Sequence, residues 1–180
     1  QARQGRPGER LARSLQNLGP VAIKLGQVLS TRADIFGTVF ATHLAHLKDA
    51  LPPFPTARAR AEIERELGQP VDVLFPVFGE PVGAASLAQA HRATLADGRE
   101  VAVKVLRPGI ERRIADDSAT LMMAAGLIEA LIPPARRLEP SAFAATVIRS
   151  LQLELDMRFE AAGAAELSDI MNRDGWMRAP

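Results

Sequence analysis

One stretch limits the fold more than any other. Residues 88–106, AQAHRATLADGREVAVKVL, hold two runs with strand character on either side of Ala96-Asp97-Gly98. An Asp-Gly pair between two such runs predicts a tight antiparallel hairpin. The rest of the chain follows another period. Apolar residues recur at helical spacing from Leu11 to about Ala50, and helices are expected from Glu111 to Ile132 and from Ser141 to about Asn172. A hairpin set among long helices predicts an α+β chain, rich in helix, with a small antiparallel sheet.

Glycine and proline punctuate this pattern. Residues 1–10 are polar and rich in Gly and Arg, which predicts a loose lead-in. Gly19-Pro20 breaks the first helical stretch, and Pro20 suits the first turn of a new helix. Asp34 to Gly37 marks a further break, and LPPFP, residues 51–55, ends helical structure. Thr56 is expected to cap a short helix that stops at Gly68. FGEPVGAAS, residues 78–86, reads as a loop of small residues. Pro108-Gly109 closes the second strand, and Pro133-Pro134 ends the helix after it. Gly163 is a soft spot in the last long helix. Asp174-Gly175 predicts a turn, with a strand beginning over Trp176–Pro180.

Composition removes several function classes. At 180 residues and 47% hydrophobic, the chain can bury a core for one domain or one large lobe. It begins at Gln1 rather than Met, which reads as a piece of a longer protein. A net charge of +1 with mixed signs gives no electrostatic reason for nucleic-acid binding, and no Tyr with one Trp argues against a base-stacking platform. Without cysteine there is neither disulfide scaffold nor thiolate metal site. The most apolar run, Leu121–Ile132, is too short to span a bilayer and contains Glu129; it reads as a buried helix, with contact at a membrane surface as the lesser alternative. His43 and His46 share a helical face without a third ligand, so packing is the expectation rather than metal. His91 is expected to hydrogen-bond locally in its strand. Arg112-Arg113 and Arg136-Arg137 are expected on solvated faces or at helix ends.

Only three lysines occur, Lys24, Lys48 and Lys104, against nineteen arginines. Lysine is a compact charge suited to a phosphate oxygen or a single carboxylate. A small-residue loop between two strands lets backbone N–H groups approach a phosphate, and a lysine on the next strand, Lys104 in VAVK, can reach the same oxygens. Strands with an outward lysine are common, so VAVK alone is weak. Such a lysine would pair with a glutamate from a helix. On the last helix, Phe143, Val147, Leu151, Leu155 and Phe159 form one apolar stripe; Glu154 falls inside it, and Asp156 and Glu160 share another face. Lys24 and Gln27 lie three apart on one face of an apolar helix. Turned inward, Lys24 needs an acid or a phosphate, with Glu154 and Asp156 as the available acids; turned outward, it lays its stem along the helix and keeps its charge in water.

Together these segments resemble the UbiB family of atypical kinase-like proteins, which includes the mitochondrial ADCK and Coq proteins. GPVAIKLGQVLSTRADI is similar to that family's KxGQ segment, with Lys24, Gly26 and Gln27 in place. LKDALPPFP resembles the stretch that follows. FGEPVGAASLAQAHRATL resembles the alanine-rich loop that stands for the kinase glycine loop, beginning here with Gly83. VAVKVLRPGI carries the nucleotide lysine, Lys104, and Glu154-Leu155-Asp156 resembles the ExD motif.

The resemblance implies a helical KxGQ extension over residues 1–68 and a kinase-like N-lobe over 69–180, with the C-lobe absent. It implies a whole protein that binds ATP with Mg2+, acts as an ATPase or atypical kinase, and supports ubiquinone biosynthesis from the cytoplasmic side, peripheral to the inner membrane. Partners would be ATP, and possible ones are quinone-biosynthesis enzymes and membrane lipid or isoprenoid precursors. Lys104 and Glu160 would be the catalytic pair. Gly83, Ala84, Ala85 and Ser86 would cover the nucleotide. Lys24 and Gln27, tethered by Glu154 or Asp156, would occlude the site. Metal ligands would lie in the C-lobe, so this chain alone would be inactive. The alternative is a non-catalytic scaffold or lipid-binding module of a quinone-synthesis complex.

Overall fold

The computed structural model describes residues 7–45, 47 and 51–174. His46, Lys48, the turn into Gly175 and the strand expected over Trp176–Pro180 lie outside the described residues. The chain forms two compact units: Gln1–Ala50 with Glu111–Gln152, and Leu51–Ile110 with Leu153–Pro180. That division follows packing, whereas the boundary at residue 68 follows the order of motifs.

The first unit is helical. Helix α1 (Pro7–Leu18) begins inside what reads as a loose lead-in, because Pro7 is well suited to a first helical turn. Gly19, at φ 114°, separates it from α2 (Pro20–Ser30), which starts on Pro20. The Arg113 guanidinium lies against Gly19, where an added Cβ would meet Nη2 at 2.6 Å. Two short helices follow, α3 (Ala33–Phe36) and α4 (Thr38–Ala45). Leu15, Leu44 and Leu47 form the core of this bundle, with Ala22 and Leu29 of α2 packed on it.

The same unit holds most of α7 (Ile110–Leu131) and α8 (Pro140–Leu155), joined by a 3-10 turn at Pro133–Leu138. Arg136 Nε donates to the Glu129 carbonyl at 2.7 Å, closing the end of α7. The Glu129 carboxylate accepts the Ser141 N–H and hydroxyl at 2.9 and 2.8 Å, which ties α7 to the start of α8. Residues of α2, α3, α7 and α8 enclose an apolar cavity of about 280 Å3. Buried Val147 and Leu151 of α8 continue the core. The run expected to be a buried helix is not one: Met123 is 63% and Leu131 75% exposed, and Ala125 carries its buried face. No helix among the described residues is long and apolar enough to cross a membrane.

The second unit is built on a three-stranded antiparallel sheet in the order β1-β2-β3, comprising β1 (Val77–Ala84), β2 (Ala88–Thr94) and β3 (Glu100–Leu106). The β2–β3 hairpin turns through Ala96-Asp97-Gly98, with Gly98 at φ 85°. Strand β1 corrects the reading of residues 78–86 as loop. Pro81 and two glycines mask the strand pattern, but β1 is an edge strand and absorbs them in two register shifts around Pro81.

One face of the sheet joins α5 (Thr56–Leu67) and α6 (Val71–Leu74) in a core of Ala59, Ile63, Val71, Phe75, Ala93 and Val105. Thr56 does not cap α5: its hydroxyl donates to the Glu80 carboxylate at 2.5 Å. Gly68, at φ 68°, ends the helix as expected. The single helix expected from Ser141 to Asn172 is two, broken at Asp156, with α9 running Met157–Asp174. Gly163 lies within α9 and does not break it.

Candidate functional site

Alternation along β2 and β3 sorts their residues by face. Gln89, His91 and Ala93 turn inward with Val101, Val103 and Val105; Lys104 lies on the opposite face. The register aligns Gly83 of β1, Ala90 of β2 and Lys104 of β3 in one row across the sheet. The two partners beside the lysine are therefore the smallest available. A Cβ at Gly83 would meet nothing within 4 Å, so the sheet is open there.

Glu160, in the first turn of α9, meets that face. Lys104 Nζ donates to Glu160 Oε2 at 2.5 Å. The side chains are 42% and 59% exposed, so the pair contributes little to stability, on the order of 0–1 kcal/mol. What it does is fix a flexible ammonium over an open sheet face.

Asp156 explains how Glu160 is placed. Standing alone between α8 and α9, it accepts the Arg158 N–H on Oδ1 at 3.1 Å, as an N-cap does. The Arg158 guanidinium grips the same carboxylate at 2.8 and 2.7 Å and holds its pKa below the ordinary carboxylate value. The cap breaks the apolar stripe expected to run from Phe143 to Phe159: Val147 and Leu151 are buried, but Phe159 is 64% exposed. Asp156 and Glu160 are thus a cap and a first-turn residue rather than two positions on one continuous helix. Glu154, expected inside the stripe, is exposed in the last turn of α8.

Ala84, Ala85 and Ser86 form the end of β1 and its turn into β2. The Ala85 N–H donates to the Ala88 carbonyl at 2.8 Å, leaving Ser86 and Leu87 as a two-residue tip. Ser86 is 7% and Leu87 8% exposed, so the tip folds down rather than standing free. Lys24 and Gln27 are half-buried on α2 in the first unit, whereas Glu154 and Asp156 belong to the second. Gly26 between them is buried, and an added Cβ would collide with the ends of Leu15 and Leu47. Among the described residues no group of three or more His, Asp or Glu could hold a metal ion.

His91 hydrogen-bonds within its strand as expected, to Gln89, but two features escaped the reading of the sequence: the extent of that chain of bonds, and Arg107. Gln89 and His91 form a buried polar chain. The Gln89 amide accepts the Phe54 N–H at 2.8 Å and donates to the Phe54 carbonyl at 3.1 Å and to His91 Nε2 at 2.8 Å. His91 Nδ1 meets the Gly79 carbonyl at 2.8 Å; a carbonyl only accepts, so the proton is on Nδ1. Polar residues two apart on the inward face of a strand are a legible sign of such a chain. Arg107 is the second feature, bonded to the tip of the β1–β2 turn and to Pro52. No spacing announces it.

Several known proteins are similar to this chain. Two proteins named probable protein kinase UbiB are similar: that of Marinobacter nauticus, 45% identical over 89% of this chain and 29% of its own length, and that of Shewanella loihica, 40% identical over 96% and 32%. The chain thus spans about a third of the curated relatives it matches. A solved structure, the complex of Rv3197 with erythromycin from Mycobacterium tuberculosis, matches 95% of this chain and 45% of its own, with a TM-score of 0.58 and 26% identity. Residues 46–180 match the ABC1 atypical kinase-like domain. With that match over most of its length, the chain belongs to the ABC1 atypical kinase-like family.

Proposed function

We propose that this chain is the nucleotide-binding part of a UbiB-like atypical kinase or ATPase acting in ubiquinone biosynthesis. The observation that carries the reading is the Lys104–Glu160 pair on a sheet face left open by Gly83 and Ala90. A fixed ammonium beside an uncluttered backbone suits a polyphosphate, because charge and close approach are both supplied in advance. In this reading Lys104 contacts the phosphates of ATP, Glu160 orients it, and backbone amides from Ala84 to Ser86 cover the nucleotide. Lys24 and Gln27 belong to the KxGQ segment, which in this reading restricts the access of protein substrates. Mg2+ would supply charge neutralisation at the phosphates, and its ligands are expected outside this chain. The chain alone therefore binds nucleotide weakly and turns none over. Attachment beside the inner membrane would bring the site to quinone precursors.

The test is ATP binding by the full-length protein. Lys104→Ala should weaken it at least tenfold and Glu160→Gln less. Equal ATP affinity in wild type and Lys104→Ala overturns the reading. The second reading, a lipid-binding module without turnover, is favoured by the apolar cavity among α2, α3, α7 and α8. Binding of an isoprenoid phenol by a full-length protein that binds no ATP would select it.

A further inference from the structure

The tip of the β1–β2 turn lacks the backbone geometry that ordinarily closes so short a hairpin. Two-residue loops favour turns with positive φ at one or both positions. Ser86 and Leu87 have neither; among the described residues Glu139 is the one non-glycine with positive φ. Something outside the turn must hold it. Arg107, just past the end of β3, does so twice and reaches a third carbonyl outside the turn. Its N–H donates to the Leu87 carbonyl at 2.8 Å, Nε to the Ala85 carbonyl at 2.9 Å, and Nη2 to the Pro52 carbonyl at 2.9 Å. Its guanidinium also lies 5.6 Å from the Phe54 ring centre. Burial pulls its pKa down, and among the described residues no carboxylate pairs with it. The bond to Leu87 comes from the main-chain N–H; the partly desolvated guanidinium spends its donors on the Ala85 and Pro52 carbonyls, where charge makes these two bonds stronger than neutral ones.

We infer that Arg107 is a positioning residue that sets the conformation of the Ala84–Ser86 turn and couples it to the Pro52–Phe54 segment. The inference rests on the nucleotide reading above for its functional consequence. The planar fork is essential: one edge faces Ala85 while another reaches Pro52, a span that a lysine ammonium cannot bridge. Movement of the Pro52–Phe54 segment would thereby be felt at the turn that covers the phosphates. Preorganisation of that turn lowers the ordering cost of binding.

The test uses the full-length protein with Arg107→Ala and Arg107→Lys, the latter serving where the former does not fold. Amide exchange without nucleotide should rise about tenfold in peptides covering 84–88, while the Ala59–Ile63 core keeps its protection. ATP affinity should fall about tenfold in both variants. Unchanged exchange at 84–88, or full recovery of affinity by Arg107→Lys, overturns the inference. A wild type that binds no ATP, with the turn still loosened by Arg107→Ala, overturns the nucleotide reading and leaves the Arg107 tie standing.

Discussion

Replacing Gln89 with Met keeps the length of the side chain and removes every hydrogen bond it makes. Gln89 is 2% exposed, so water cannot take its place. Three groups lose their partner: the Phe54 N–H, the Phe54 carbonyl and His91 Nε2. Each stranded group costs about 1–3 kcal/mol where it is buried. His91 is wholly buried, while the Phe54 groups are only partly so and recover some hydration. The thioether regains part of the loss by burying apolar surface. The expected net is about 3 kcal/mol, which in a chain of this size lowers Tm by about 6–12 °C. Gln89→Glu should cost at least as much, because a carboxylate buried there still accepts the Phe54 N–H but faces the Phe54 carbonyl and the His91 lone pair with a charge and no donor. Thermal unfolding of the three proteins, with exchange of the Phe54 amide as a local readout, measures the effect. A loss below about 0.5 kcal/mol for Gln89→Met would refute the claim that this chain of bonds fastens the Pro-rich segment to β2.

Gly26→Ala gains about 1 kcal/mol of helix propensity but presses on two buried leucines, and the close approach puts the overpacking cost toward the top of its range, about 3 kcal/mol, so net destabilisation of about 2 kcal/mol is expected in urea unfolding. Asp156→Ala should fray the start of α9, raising amide exchange over Met157–Glu160, whereas Asp156→Asn should preserve the cap. Glu129 is held below its ordinary value of 4.5 by the Ser141 N–H and then its hydroxyl. Its contribution to stability is therefore full above that value and lost as pH falls through the lower folded one; Glu129→Gln should shallow the acid side of the stability profile.

The β2–β3 hairpin was legible because Asp97-Gly98 imposes a local geometry that needs no tertiary help, and the helix ends at Gly19 and Gly68 for the same reason. Strand β1 was hidden because Pro81 and its neighbouring glycines weaken every strand signal, and only an edge position makes them tolerable. The break at Asp156 was hidden by its surroundings. Apolar residues continue in helical register on both sides, and a capping aspartate looks like any acid on a helix until the chain kinks. The Lys104–Glu160 contact spans 56 residues, and spacing carries no information over that range; resemblance alone pointed to it. Arg107 had neither signal, since its partners are main-chain carbonyls that any sequence would supply.

The first unit is interrupted: Leu51–Ile110, about 60 residues, stands between its two halves. Closing a loop of that length costs about 4 kcal/mol in chain entropy. As the chain emerges during synthesis, α1 to α4 must wait for Arg113 and the rest of α7 before their unit is complete, while the sheet between them can pair at once. The early helices are accordingly secured only after the sheet has paired, although the sheet's own unit is completed later still, by Leu153–Pro180. The second unit is interrupted in turn, by Glu111–Gln152, so no single cut releases either unit whole, and separating them means rejoining distant segments rather than truncating the chain.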